Sequence, residues 1–267
     1  MNEIIEKIIK IVKNASKIML DNHIMVKQKG SYANLVTNHD VEIQEFLCNE
    51  FLKIIPGCGF ICEENDFISN MNKEYVFVID PIDGTSNYAH GIKESAISIA
   101  LLKNSKPLYG VVYNPFHDEM FYATSGGGAY CNGNEIHVSN RIFEDSLFCT
   151  AMSLYKKEYA KICSDIIYDT YMKCSDVRRF GSCALELCYL AIGRCDLYFE
   201  LRVFPWDYAA AYLILKEAGG VLKGFNGEEL DFTKVTPLIG ANNIANYNKL
   251  QKIVSKYLKI IPYEVKL

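Results

Sequence analysis

Two aspartates three residues apart, Asp80 and Asp83, close the apolar run "VFVI"; Pro81 and Ile82 lie between them and Gly84-Thr85-Ser86 follows. Carboxylates are hard oxygen ligands that suit magnesium or manganese better than zinc. A glycine followed by hydroxyl residues lets main-chain amides approach an anion such as phosphate. Two further acids share this context. Glu63 follows the short run "GFIC", and Asp207 opens the helix-forming "DYAAAYLILKEA". Strand ends and helix starts on one side of a sheet are where layered α/β architectures gather ligands. Acids crowded there repel one another unless cations stand between them. Taken singly, each is more often a turn former or helix cap: Asp207 could cap its helix, and Glu63-Glu64 could be a solvated edge.

The elements that must position these acids follow from periodicity. Ile4, Ile5, Ile8, Ile9, Val12, Ala15 and Met19 recur at helical spacing and predict an amphipathic helix over 3–21. "KQKGSYANLVTNHD" breaks that period as a loop or short hairpin. A second helix takes Asp40 into its first turn, continues through Ile43, Phe46, Leu47 and Phe51, and stops at Pro56-Gly57. "GFICEEN" and "YVFVID" read as strands ending in acids. From Ser95 to His137, four β-rich runs divided by turn residues predict an antiparallel meander. Beyond it strands and helices alternate: "SLFCTAM" strand, 154–170 helix, "DVRRF" strand, "SCALELCYLAIG" helix, "CDLYFEL" strand, "WDYAAAYLILKEAGG" helix and a last helix over 244–257. The shift in pattern divides the chain into an N-terminal half, 1–140, and a C-terminal half, 141–267, of a layered mixed α and β protein.

Composition narrows the function classes. Half of the 267 residues are hydrophobic, enough for a sizeable core. A net charge of −4 argues against a general nucleic-acid or membrane-surface binder, and an acidic protein that binds phosphate needs metal ions to offset its own carboxylates. The ten cysteines are scattered with no C-x-x-C pair, so they read as reduced thiols and not as a zinc or disulfide framework. Glu3 and Glu6 interrupt the N-terminal isoleucines, against a signal peptide, and no apolar run is long enough to span a bilayer. A cytoplasmic location is expected. The sequon Asn14-Ala15-Ser16 is then incidental.

Taken together and in order, these motifs resemble the inositol monophosphatase family, within the wider group of magnesium-dependent, lithium-sensitive sugar phosphatases. "FVIDPIDGTSNY" and "PWDYAAAYLILKEAGGVL" are similar to its two signatures. "NLVTNHD", "GFICEEN", "GVVYNP", "GGGAYCNG", "RRFGSCALELC", "YFELRVFPWD" and "LIGANN" fall in family order from about residue 29 to residue 243. The resemblance implies an α+β fold, a layered α-β-α-β-α sandwich like that of fructose-1,6-bisphosphatase, and a homodimer. It implies two or three Mg2+ ions, with Mn2+ as a substitute. Glu63, Asp80 and the carbonyl of Ile82 match the ligands of the first ion, and Asp80, Asp83 and Asp207 those of the second. Glu63 also matches the holder of a looser third ion. Asp40 and Thr85 match a pair near the attacking water, with Glu63 as proton acceptor. Lys29 falls at a basic position of a loop that closes near the site.

For substrate contacts, the resemblance points to Asp83, Gly84, Thr85, Gly181, Ser182, Cys183, Glu200 and Asp207. Cys183 departs from the alanine expected there, which narrows the space slightly and leaves main-chain contacts intact. The implied reaction is hydrolysis of myo-inositol phosphate by water without a covalent phosphoenzyme. Alternatives are a fructose-1,6-bisphosphate or broad sugar-phosphate phosphatase, and a regulatory RNA- or protein-binding member of the family. Arg178 and Arg179 could neutralise a second phosphate or form a structural pair at a dimer contact. Trp206 is expected to pack beside the site and orient Asp207. The expected partner is a small sugar or inositol phosphate, with neither nucleic acid nor membrane.

Overall fold

The contrast between two helices sets the layers. In α1 (Glu3–Met19), Ile5, Ile8, Val12, Ala15 and Met19 form one buried stripe while charged residues face out. In the later helix Pro205–Glu217, ten of thirteen residues are buried all round. A one-sided stripe covers one surface; a helix apolar on every side must lie between two. The computed structural model describes residues 3–21, 23–28, 35–64, 68–69, 71–152, 157–260 and 265–266.

In chain order, the hairpin β1 (Val26–Gln28) and β2 (Leu35–Thr37) leads into α2 (Asn38–Ile54). β3 (Gly59–Cys62), β4 (Ile68–Ser69) and β5 (Tyr75–Asp83) precede the short α3 (Thr85–Ala89). The meander follows as β6 (Ala96–Lys103), β7 (Lys106–Asn114), β8 (Glu119–Thr124), β9 (Ala129–Cys131) and β10 (Asn134–Glu135). These make an eight-stranded sheet in the order β10-β9-β8-β7-β6-β5-β3-β4, antiparallel except for β3 beside β5. The remaining elements are β11 (Leu147–Thr150), α4 (Ala160–Tyr171), β12 (Asp176–Arg178), α5 (Cys183–Ala191), β13 (Leu197–Val203), α6 (Pro205–Glu217), β14 (Val221–Lys223), β15 (Lys234–Ala241), α7 (Ile244–Val254) and β16 (Val265–Lys266). They build a second sheet, β12-β11-β13-β15-β14, with β16 on β15.

Three cores hold five layers together. α1 and α2 pack on one face of the first sheet through Ile8, Val12, Leu47, Phe51, Phe77 and Ile99. α5 and α6 fill the space between the sheets, against Val78, Val112 and Phe121 on one side and Tyr198 and Leu238 on the other. α4 and α7 cover the outer face of the second sheet through Ile166, Leu250, Phe148 and Phe199. The chain is thus an α-β-α-β-α sandwich, as the motifs implied. The first sheet belongs to residues before 140 and the second to residues after it, and the middle core draws on both.

Some boundaries differ from those expected. The first helix ends at Met19, the helix expected over 154–170 runs from Ala160 to Tyr171 after a 3-10 turn at Lys157–Tyr159, and the last passes into 3-10 geometry at Ser255. Strands β14, β15 and β16 had no counterpart in the sequence reading. All ten cysteines are free thiols, and no helix among the described residues is long and apolar enough to cross a membrane.

Candidate metal and phosphate site

Residues three apart on a regular strand face opposite sides of its sheet, so Asp80 and Asp83 could not share a site on an unbroken β5. The pairing with β6 shows how they do. Asp80 stands opposite Ser98 and Asp83 opposite Ala96, three steps on one strand against two on its neighbour. The extra residue is a β-bulge, which kinks the strand and re-aims its side chains. Asp80, Asp83 and Asp207 consequently bring carboxylate oxygens within 4.8 Å of one another. Asp207 arrives as the third residue of α6, where its Oδ2 accepts the Phe204 amide at 2.9 Å. It caps the helix and joins the carboxylate cluster at once. Beside it buried Trp206 stacks on Phe204 with ring centroids 4.8 Å apart. Glu63 follows β3, parallel to β5; its amide donates to the Ile79 carbonyl at 3.2 Å and its side chain shares a hydrogen bond with Asp80.

The electrostatics are those of carboxylates crowded together in a buried place. Burial, then the charges of Glu63, Asp83 and Asp207, hold the Asp80 carboxyl well above the usual carboxylate range. Burial, then Asp83 and Glu63, do the same to Asp207 against the Phe204 amide. Asp83 is pushed up to about 6 by burial, opposed by bonds from the Ser182 hydroxyl and the Ala184 amide. Protons or cations must relieve this repulsion.

The loop after β5 is shaped for close approach. Gly84 has φ 87°, and a Cβ there would lie 2.9 Å from the Glu94 carbonyl oxygen. Thr85 opens α3, and its hydroxyl lies 3.3 Å from Asp40 Oδ1 and 3.0 Å from the Ile82 carbonyl. Asp40 is fully buried in the first turn of α2; its Oδ2 accepts the Thr37 amide at 2.7 Å and the Thr37 hydroxyl. Asp40 therefore serves as a cap and meets the site through Thr85.

The C-terminal half supplies the opposite wall. Ser182 caps α5 and donates to Asp83 Oδ2, which also accepts the Ala184 amide at 2.7 Å, so the positive end of α5 faces this carboxylate. Asn87 Nδ2 donates to the Phe180 and Glu94 carbonyls at 2.6 and 2.7 Å, tying α3 to the segment that carries Gly181. Glu200, half-buried on β13, accepts the Tyr198 hydroxyl at 2.6 Å, and burial pushes its carboxyl up to about 7 against that bond. Cys183 Sγ sits 3.0 Å from the same hydroxyl.

A cavity of about 100 Å³ is lined by Glu63, Asp80, Asp83, Thr85, Glu200 and Asp207, together with Ile82, Gly84 and the Gly181-Ser182-Cys183 segment. Lys29 lies outside the described residues. The two neighbouring arginines part company: Arg179 lines the cavity, while Arg178 turns away to pair with Asp176. Two charged lining residues escaped the sequence reading. Glu186 is buried, and its Oε1 accepts the Phe180 and Gly181 amides at 2.6 and 2.9 Å; burial pushes it up to about 8. Its signal was a single acid within the otherwise apolar "CALELCYLA". Arg202 also lines the cavity; its signal was a basic residue two positions after Glu200.

Known proteins are similar to this chain in sequence and in structure. A Nus factor SuhB from Vibrio cholerae is 37% identical over 221 residues, covering 82% of this chain and 80% of that protein. An inositol-1-monophosphatase from Mesorhizobium japonicum is 32% identical over 237 residues, covering 88% and 87%. The crystal structure of extragenic suppressor protein suhB from Bartonella henselae superposes with a TM-score of 0.88 at 31% identity, over 96% of this chain and 99% of that one. The family model of the inositol monophosphatases matches residues 1–259, and this chain belongs to the inositol monophosphatase family.

Proposed function

We propose that this chain is a Mg2+-dependent phosphate monoester hydrolase whose substrate is a myo-inositol phosphate. The observation that carries the reading is the meeting of Asp80, Asp83 and Asp207 within 4.8 Å beside the Gly84-Thr85 loop. These donors are oxygen only and mutually repulsive, with Asp80 and Asp83 buried and Asp207 partly so, which fits hard divalent cations. Glu63, Asp80 and the Ile82 carbonyl would hold one ion, and Asp80, Asp83 and Asp207 another; Glu63 has oxygens for a third, and Mn2+ can replace Mg2+. When bound, such ions neutralise phosphate oxygens and make water a better nucleophile near neutral pH.

The chain's own groups do the rest. The amides of Gly84 and Thr85 cradle the phosphate, Thr85 held by Asp40 positions the attacking water, and Glu63 accepts its proton. Glu200, Asp83 and Asp207 accept hydrogen bonds from ring hydroxyls, against the backbone of Gly181, Ser182 and Cys183. A homodimer in the cytoplasm completes the reading. Release of phosphate from myo-inositol 1-phosphate with Mg2+, lost in Asp80→Asn, is the expected result; absence of release from any phosphate monoester would sink it.

The name of the Vibrio relative favours a second reading, a regulatory factor acting through macromolecular contacts. Full phenotypic function of an Asp80→Asn chain that has lost turnover would favour that reading over the first.

A further inference from the structure

Of the five arginines, three are occupied: Arg141 by Asp196, Arg178 by Asp176 and Arg194 by Glu119. The other two, Arg179 and Arg202, line the acidic cavity. Among the described residues neither forms a salt bridge or donates a hydrogen bond. Each guanidinium offers five N–H donors in a flat fork that matches a carboxylate or phosphate.

The position of Arg202 is a built one. Glu200 stands opposite Leu238 on β15 and Val203 opposite Thr236, three steps against two, so β13 carries an extra residue as β5 does. Leu201 packs with Phe199 in the outer core, yet Val203 packs in the middle core. On a regular strand these two would share a face. The bulge therefore falls at Arg202, and bulges beside ligand sites re-aim a side chain. Its guanidinium lies 5.1 Å from the Phe204 ring centroid, and Phe204 in turn stacks on buried Trp206. This aromatic shelf holds the cation in place without using its donors. Arg179 comes from just beyond β12, and its charge reaches Glu200.

We propose that Arg202 and Arg179 grip a second anionic group of the substrate, so that the site prefers phosphate esters carrying a further phosphate or a carboxylate. The inference rests on the phosphatase reading above and assigns its substrate class. Three esters of one six-carbon skeleton test it: glucose 6-phosphate, gluconate 6-phosphate and glucose 1,6-bisphosphate. The expected kcat/KM for at least one dianionic ester exceeds that for glucose 6-phosphate by roughly tenfold or more, the scale of charge-assisted hydrogen bonds, and KM carries the difference. Which ester gains tells carboxylate from phosphate. Arg202→Gln and, separately, Arg179→Gln should bring the ratio toward one, and Arg202→Lys should restore only part of it, because a point charge lacks the fork. Equal kcat/KM for all three esters, unmoved by either substitution, overturns the grip and leaves the phosphatase reading standing. If none of the three is hydrolysed, release from myo-inositol 1-phosphate judges the phosphatase reading separately, and calorimetric binding of the same three compounds decides the grip. A bisphosphate affinity weakened about tenfold in Arg202→Gln supports it; an unchanged affinity refutes it.

Discussion

At the scale of single residues, the acids in the cavity are held at a cost that a substitution can expose. Asp80 sits among Glu63, Asp83 and Asp207, and burial adds to their repulsion. Asp80→Asn removes a charge without changing volume. In metal-free buffer it is expected to melt higher than the parent, while turnover falls by about 10³-fold, the scale lost when transition-state charge stabilisation is removed. Thermal melts beside a phosphate-release assay check both, and near-parental turnover would contradict the assignment of Asp80 as a shared ligand. Glu186 offers a cleaner titration. Its folded pKa is raised to about 8 from 4.5, so its share of stability is present at low pH and fades as pH rises toward 8. Both bonds it accepts fall on Oε1, which glutamine can reproduce. Glu186→Gln is expected to raise stability at pH 7 by about 3 kcal/mol, the order set by the shift from 4.5, and to flatten its decline between pH 5 and 8. Urea unfolding across that range is the measurement; a slope unchanged by the substitution would show that Glu186 is ionised throughout.

At the scale of elements, one bulge and one close contact decide whether the acids meet. The bulge in β5 turns Asp80 and Asp83 to the same side, and α6 must then bring Asp207 to them. α6 lies so near β7 that a Cβ on Gly110 would stand 2.5 Å from the Ala210 carbonyl oxygen. That neighbour is backbone and cannot swing aside. Gly110→Ala should therefore lift α6 from the sheet, with a stability loss of about 1–3 kcal/mol and a fall in kcat, because Asp207 moves with its helix. Denaturant midpoints at constant m-value and steady-state rates test this together. A variant as stable and active as the parent would mean that α6 tolerates displacement at this point.

At the scale of the whole molecule, protons and divalent ions compete for one anionic pocket. Asp83 is raised to about 6, and Asp80 and Asp207 are raised well above their usual values. For such groups the sign is fixed: their contribution to stability is complete below about pH 4 and is lost as pH rises through their folded values. Metal-free protein is therefore expected to lose melting temperature from pH 5.5 to 8. Mg2+ replaces the protons and should reverse that loss, by about 2.7 kcal/mol when present at a hundredfold excess over its Kd. Melts with chelator or Mg2+ at the two pH values check it, and an unchanged Tm on adding Mg2+ at pH 8 would remove the basis for the metal assignment.

Much of this was legible in the chain itself. The one-sided stripe of α1 and the all-round apolarity of α6 announce an outer and an inner layer, because burial on one side or both leaves its mark on which positions can be polar. Glu63, Asp80, Asp83 and Asp207 stood out because each follows or opens an apolar element. β15 was hidden: Pro237 interrupts "KVTPLIGA", and proline argues against a strand until a neighbour's pairing shows where its missing N–H is tolerated. Glu186 drew no notice, because one acid within "CALELCYLA" does not reveal its own burial, which the packing of α5 between the two sheets decides.

Residue types, their local order and their periodicity determined the elements, the donors and the family, since these depend on side-chain chemistry and near neighbours. Tertiary structure alone decided that Asp83 is bound by Ser182 across 99 residues of chain, that Arg179 faces the cavity while Arg178 does not, and that Arg202 occupies a bulge. Those outcomes depend on which strands pair and in what register, and one extra residue on one side of a ladder changes the face every following side chain presents.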